Sequence, residues 1–265
     1  MTKELKMIVC IKQVPDPEAP TSAVEVDSKQ MQIRLRGVPP VMNPPDEAAL
    51  EAALQLKEKC RGRITVLSVG ENLSLPTLRK ALAAGADELT LVQDPGLGEL
   101  DSLSTAFVLY KAIEKIGEYD LVLTGRQAGD WNEGQVGLIL SELLKVPAIN
   151  LVKKLAIEGS EITAYKVTPF GYEVVKTVIP AVLIVTHEFG ELRYVPFIAL
   201  QKAREKPVKI WGAKDLSIDP SNLTKRRIIS LYEPSRERSC LFVDGKTSEE
   251  KGKNLALLIK EILKK

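Results

Sequence analysis

The sequence predicts an α/β fold: a parallel sheet with helices on both faces, Rossmann-like, with additional strands and an extended C-terminal arm ending in a helix. Three observations predict it. From residue 7 to residue 144, short apolar runs alternate with segments of helical period, which implies right-handed βαβ crossovers. The connection after the apolar run 121–123 carries the glycines Gly125, Gly129, Gly134 and Gly137, and it exceeds the roughly 2–6 residues that a βα turn needs. After Pro147 the pattern changes to strand runs separated by turn residues.

The elements follow in order. Residues 7–11 form a short apolar run, a buried strand, and Pro15 and Pro17 end regular structure after it. Residues 18–42 look irregular, with a hairpin at 23–26 and 31–35. Pro44 and Pro45 then stop the preceding segment, Asp46 is the expected N-cap, and Leu50, Ala53 and Leu54 continue an apolar helix face. Asn43 reads either as a turn residue before that helix or as a loop residue that reaches a ligand. Residues 63–69 alternate into a strand ended by Gly70. A helix over 75–84 is stopped by Gly85, and residues 88–92 form another strand. Asp101 or Ser102 caps a helix whose expected face is Leu103, Phe107, Tyr110 and Ile113.

The stretch 120–144 is the most informative. A buried strand at 121–123 feeds a polar glycine-rich loop, and Val136, Ile139, Leu140, Leu143 and Leu144 then fall on one helix face. The first turn of a helix has N–H groups with no internal partner, and the helix dipole is positive there, so a phosphate at 134–137 would satisfy both. The loop is neither GxGxxG nor GxxxxGK[ST], and an ordinary βα connection remains the alternative reading. Ligands of such sheets bind at the carboxyl ends of the strands. Residues 10–13, Asn43, 69–70 and 125–137 all fall at strand ends or helix starts, and are expected to converge on one crevice.

Composition narrows the function. With 37 basic and 35 acidic residues the net charge is +2, which argues against a nucleic-acid binder. No apolar run approaches the roughly 18 residues of a membrane span. The N-terminal residues show neither a signal-peptide core nor a transit segment, so cytoplasmic residence in a prokaryote is the expectation. Cys10, Cys60 and Cys240 are far apart with no CxxC, and no metal site is expected. His187 follows the apolar run 181–185 and reads as a strand-end residue, and no GxSxG motif accompanies it. No catalytic side chain is assigned.

Beyond Pro147, residues 148–152, 161–167, 172–177 and 181–186 read as strands. The segment 191–210 interleaves Arg193, Lys202, Arg204, Lys206 and Lys209 with Tyr194, Phe197, Ile198 and Leu200. It reads as a grip for an acidic partner surface or as an amphipathic helix packed on its own domain. Residues 212–248 look polar and irregular. A last helix at 247–264 puts Leu255, Leu258, Ile259, Ile262 and Leu263 on one face.

Four motifs in sequence carry a family resemblance: VCIKQVPD, MNPPDEAALEAALQLKE, LTGRQAGDWNEGQVG, and IPAVLIVTHEFGELRY with KAREK. Along nearly its full length the chain resembles the beta subunit of an electron transfer flavoprotein. The resemblance implies an adenine nucleotide alpha-hydrolase-like α/β fold and a heterodimer with an alpha subunit that carries most of an FAD site. The implied divisions are a nucleotide-binding domain at 1–190, a partner-recognition segment at 191–210, and an arm and helix at 211–265 that pack on the alpha subunit. It implies that the crevice holds AMP in ordinary members, or a second FAD that accepts hydride from NADH in electron-bifurcating members. It implies nucleotide contacts from Cys10, Asn43, Pro44, Pro45, Asp46 and Val69. In the loop it implies Gly125, Arg126, Gln127, Ala128, Gly129, Asp130, Trp131, Asn132, Glu133, Gly134, Gln135, Val136 and Gly137. It implies partner contacts from Arg193, Tyr194, Phe197, Lys202 and Arg204, with acyl-CoA-type or other flavin dehydrogenases as partners.

The chain departs from the ordinary pattern of three aspartates followed by Asn-Gln-Thr-Gly. Gln135-Val136-Gly137, Arg126 where lysine is usual, Asp46 after Asn-Pro-Pro, and the helix start at 100–106 are more similar to bifurcating members. Trp131 fits neither pattern. Pro17 and Pro45 stand where aromatic residues are frequent, and Phe197 stands where leucine is usual. A nucleotide-binding module of the universal-stress type, without redox chemistry, is the rival from another class. Its Gly-x2-Gly-x9-Gly-[Ser/Thr] loop is not found here, nor is the Ser-Gly-Gly loop of an ATP-pyrophosphatase.

Overall fold

The computed structural model describes residues 4–28, 31–233 and 240–264. The chain divides into two units, Met1–Ser230 and Leu231–Lys265. The first contains a nine-stranded sheet. Its strands are β1 (Leu5–Cys10), β6 (Gly62–Gly70), β7 (Glu88–Gln93), β8 (Leu121–Gly125), β9 (Ala148–Glu158), β10 (Glu161–Thr168), β11 (Gly171–Val178), β12 (Ala181–Val185) and β13 (Val208–Trp211). Two small antiparallel pairs lie outside it: β2 (Gln13–Val14) with β5 (Val41–Met42), and the expected hairpin β3 (Val24–Asp27) with β4 (Gln32–Leu35). The order across the large sheet is β11-β10-β9-β12-β8-β1-β6-β7-β13. Every pairing from β9 to β13 is parallel; β10 and β11 add an antiparallel edge.

Successive side chains of a strand point to opposite faces, and β1 shows the consequence. Met7 and Val9 enter one core layer, with Leu50 and Leu54 of α1 (Pro44–Lys59) and Leu78 and Leu82 of α2 (Leu75–Ala84). Ile8 and Cys10 enter the other, with Leu109 and Ile113 of α3 (Ser102–Ile116) and Leu140 of α4 (Val136–Leu144). A strand covered on both sides needs apolar residues at every position, which is why these strands read as continuous apolar runs.

β1 is flanked by β6 on one side and β8 on the other. The chain leaves β1 toward β6 and β7, then returns to the far side of β1 as β8. The connections therefore diverge at the carboxyl ends of β1 and β8, which opens a crevice at this switch point.

Several expectations are corrected. Asp46 is not the N-cap of α1; Asn43 is, with Pro44 and Pro45 in the first turn. The face expected for α3 is also rotated. Leu103 is exposed and Phe107 and Tyr110 are half-buried, while Ala106, Leu109, Ala112 and Ile113 are buried. The helix is wedged between the sheet and α4, so small residues take the central line and the aromatics its flanks. Residues 208–211 were not expected as a strand, yet they pair with β7, Val208 opposite Leu89 and Ile210 opposite Leu91. The arm expected from residue 211 begins later. Ala213, Leu216 and Ile218 are buried in the second core layer, so the first unit runs to Ser230. Part of the stretch expected to be irregular, 234–239, lies outside the described residues. The second unit contains α6 (Ser248–Ile262), started by Thr247, whose hydroxyl accepts from Glu250 N–H.

The segment after β12 is tied to α1 by Arg193. Its Nε and Nη2 donate to Glu51 at 3.0 Å each, its backbone N–H donates to Glu51 Oε2 at 3.2 Å, and Nη1 bonds to Glu58. The Glu51 side chain is 9% exposed. Burial pushes its carboxyl up, but the Arg193 bonds outweigh that and hold it below its ordinary 4.5. Arg193, expected as a partner contact, is thus also an internal anchor. Arg193→Ala strands a buried carboxylate and is expected to cost about 1.5–3 kcal/mol in urea unfolding. Because the folded carboxyl is the stronger acid, this contribution is present above the ordinary glutamate range and fades as the pH falls through it. A parental unfolding midpoint at pH 7 would refute the anchor.

Candidate functional site

The site starts from the two prolines of α1. A helix start has N–H groups that need partners, but Pro44 and Pro45 have none to satisfy. The next two, on Asp46 and Glu47, donate to the Asn43 carbonyl at 2.9 and 3.0 Å. The Asn43 side chain is therefore not needed as a cap and is spent on the loop instead. Its Nδ2 donates to the Gln127 carbonyl at 2.9 Å, and its Oδ1 accepts from Gly129 N–H at 3.0 Å. Asn43 is fully buried. Both ends of its amide are engaged, so it shapes the loop and does not reach into the crevice.

Asp46 makes the second tie. Oδ2 accepts from Lys12 N–H at 2.7 Å, and Oδ1 accepts from Gly125 N–H at 2.9 Å. One carboxylate thereby joins the segment after β1 to the end of β8. Burial pushes its carboxyl up to about 7, against the bonds from Lys12, Asn43 and Gly125 that lower it. Burial first, and then the charge of Asp46, also push the Cys10 thiol up well above its ordinary range. Cys10 is accordingly a neutral thiol with no nucleophilic character.

These ties frame a crevice of about 360 Å³ at the switch point. That lies at the lower end of the roughly 300–1,000 Å³ of small-molecule sites. Cys10 and Val69 line it from β1 and β6, and Asp46 from α1. From the loop, residues 125–128, Asp130, Trp131 and 133–137 line it. Asn43, Pro44, Pro45, Gly129 and Asn132 do not. Asn132 is exposed and accepts from Gln127 Nε2 at 3.0 Å, and the Pro45 backbone sits behind Gly125. A Cβ on Gly125 would stand 2.3 Å from Asp46 Oδ1.

The end of the loop has the character of an anion site. Among the described residues the N–H groups of Gly134, Gln135, Val136, Gly137 and Leu138 have no hydrogen-bond partner. Beside them the Thr124 hydroxyl is buried, lines the crevice and has no partner among the described residues. Gly134 has φ +64, the left-handed region, which turns the chain into α4. Gly137 is small because the sheet lies close to it. A Cβ there would lie 2.6 Å from Thr124 Oγ1 and 2.7 Å from Ile184 Cγ1, so glycine lets α4 approach the sheet. Gly137→Val is thus expected to displace α4 itself, not just a ligand.

Lys12 and Asp130 pair at 2.5 Å across the loop. Glu133 pairs with Arg226, whose guanidinium carbon lies 4.8 Å from the centre of the Trp131 ring. Thr124 carried a readable signal, a polar residue at the carboxyl end of a buried strand. Arg226 carried none, since it approaches Glu133 from 93 residues away. Free backbone donors, a buried hydroxyl and the exposed Arg126 together suit a phosphate or pyrophosphate.

In the 191–210 segment, Tyr194, Phe197, Lys202 and Arg204 are exposed; Phe197 and Lys202 begin and end α5 (Phe197–Lys202). Of the five residues expected to contact a partner, Arg193 alone bonds inward, to Glu51 and Glu58.

Asp46→Asn keeps one acceptor but places an amide N–H₂ against a backbone N–H. It is expected to cost about 1.5–3 kcal/mol in urea unfolding. The parent carboxyl is the weaker acid when folded, so its contribution is full below 3.8 and is lost as the pH rises through about 7. The variant should lack this decline. Equal stabilities and equal pH profiles would show that the carboxylate does not join the two strand ends.

A family model described as the electron transfer flavoprotein domain matches residues 31–216. The chain is 32% identical over 262 residues to the caffeyl-CoA reductase-Etf complex subunit CarD of Acetobacterium woodii, covering 97% of this chain and 98% of that one. It is 36% identical over 250 residues to the electron transfer flavoprotein subunit beta of Thermoanaerobacterium thermosaccharolyticum, covering 92% and 94%. It is 34% identical over 222 residues to the protein FixA of Azorhizobium caulinodans, covering 81% and 78%. The chain belongs to the electron transfer flavoprotein family, on the beta-subunit side.

Proposed function

We propose that this chain pairs with an electron transfer flavoprotein alpha subunit, that its crevice holds an adenine nucleotide, FAD or AMP, and that the pair passes electrons between a flavin dehydrogenase and an acceptor. The observation that carries the reading is the meeting of five open backbone N–H groups with the buried Thr124 hydroxyl at the switch point. A flavin, when bound, supplies the redox chemistry, and the protein fixes its position and potential. The chain's own residues have the remaining tasks. The amides of 134–138 and Thr124 receive phosphate oxygens. Asn43 and Asp46 hold the loop in the shape that presents those amides. Arg126 places a cation at the mouth of the crevice. Tyr194, Phe197 and Ile198, which are 86%, 70% and 65% exposed, offer a docking face for an acyl-CoA-type or other flavin dehydrogenase, with Lys202 and Arg204 beside it. The second unit, with α6, is the part assigned to packing on the alpha subunit.

A second reading is that the crevice holds a second FAD that takes hydride from NADH and divides its electrons between two acceptors. Arg126 favours it: it lines the crevice, is exposed, and has the Glu188 carboxylate as an electrostatic neighbour with no hydrogen bond to its guanidinium among the described residues, which leaves its donors to an anionic ring or pyrophosphate. The deciding experiment counts FAD and AMP released per heterodimer and measures the flavin potentials of the parent and of Arg126→Ala. Two FAD, with a potential that shifts in Arg126→Ala, are expected for the second reading. One FAD and one AMP, with potentials indifferent to Arg126, leave the plain carrier. A heterodimer with no nucleotide beyond the alpha-subunit FAD refutes the crevice assignment.

A further inference from the structure

Residues 223–226 cross the start of α3 as a strap. Thr224 N–H donates to Ser104 Oγ at 2.8 Å, Asp101 N–H donates to the Thr224 carbonyl at 3.3 Å, and Arg226 N–H donates to the Glu99 carbonyl at 2.7 Å. An antiparallel bridge between Leu100 and Lys225 completes the tie. The strap carries the Arg226 side chain, 17% exposed, to the rim of the crevice. There Nε donates to Glu133 Oε1 at 2.9 Å and Nη2 pairs with Oε2 at 2.7 Å. The Ser102 hydroxyl also donates to Oε2, Nη1 bonds the Leu100 carbonyl, and the guanidinium stacks on Trp131. Both oxygens of Glu133 are therefore held toward α3 and the strap.

Glu133 lies two residues before Gln135, the N-cap of α4, and immediately before the row of N–H groups that have no partner. A carboxylate so close to a helix start is drawn to those N–H groups by the same forces that attract a phosphate. Left to itself, Glu133 would be an internal competitor for the site. A bidentate guanidinium, which matches a carboxylate's two oxygens, is suited to hold it elsewhere. We propose that Arg226 is a positioning residue of the nucleotide site: with Ser102 it holds the Glu133 carboxylate off the α4 N-terminus and keeps those amides open to a phosphate. This rests on the nucleotide reading of the crevice. It also reassigns Glu133 from a ligand contact to a restrained competitor.

The test uses the chain in complex with its alpha subunit, stripped of crevice nucleotide and titrated calorimetrically with AMP and, separately, with FAD. Uptake by the parent tests the nucleotide reading alone; ratios between variants test Arg226. Arg226→Ala is expected to weaken binding about fivefold and at most about thirtyfold, the effect of one charge at a partly buried helix end. Combining it with Glu133→Gln is expected to restore affinity to within about twofold of the parent, since the competing charge is gone. Glu133→Gln alone is expected to bind at least as tightly as the parent, an arm that stands even if Arg226→Ala fails to fold. Parental affinity in Arg226→Ala overturns the proposal, as does weaker binding by Glu133→Gln alone. A double variant as weak as Arg226→Ala overturns it too, by making Arg226 a direct phosphate ligand. A parent that takes up neither nucleotide overturns the nucleotide reading and this inference with it.

Discussion

Two side chains at the start of α1 hold the site together. Asn43 and Asp46 bond to the segment after β1, to the end of β8 and to the glycine-rich loop, all from one helical turn. The prolines between them make this economical. By removing the donors that a cap would ordinarily satisfy, they release Asn43 for the loop. Asp46 carries the tension of the arrangement. Its two backbone bonds favour the charged form and its burial disfavours it, so it titrates near neutrality. Gly125 follows from the same contact, because any larger residue would meet the Asp46 carboxylate.

The crevice that results is made mostly of main chain. Its donors are amides of the loop and the first turn of α4, and its charged side chains are largely paired with one another: Lys12 with Asp130, and Arg226 with Glu133. Such a site offers position and dipole: the Asp46 carboxyl is engaged by two backbone N–H groups, and burial pushes the Cys10 thiol up. That suits a family whose reactions belong to its flavins.

The basic segment 191–210 illustrates how charge in a sequence divides between inner and outer tasks. Arg193 satisfies the buried Glu51, and the Lys206 ammonium bonds the carbonyls of Leu82 and Ala86 near the end of α2. Both fasten the segment to the core. Tyr194, Phe197 and Ile198 between them are left facing outward on a supported backbone. The segment's backbone is held by these two cations.

What the sequence determined by itself was local. The continuous apolar runs of β1, β8 and β12, the capped helix 75–84 ending at Gly85, and the strand, glycine-rich loop and helix of 120–144 each declare themselves through periodicity and turn chemistry within a short window. The loop motif was specific enough to indicate both crevice and family. What only the tertiary structure decided involves partners far apart in sequence. Asn43 was ambiguous between turn and ligand contact until its amide was seen to span 84 and 86 residues to Gln127 and Gly129. That Gly137 must be small to let the sheet approach shows only in its neighbours Thr124 and Ile184. Arg193 looked like a surface charge because its acidic partners lie 142 and 135 residues away. The edge strand 208–211 went unread, and residues 212–230 looked irregular, because a short strand, a turn that fills the core and a strap are each too short to show a period. Periodicity reports which side of an element is buried; it does not report which other element will arrive to bury it.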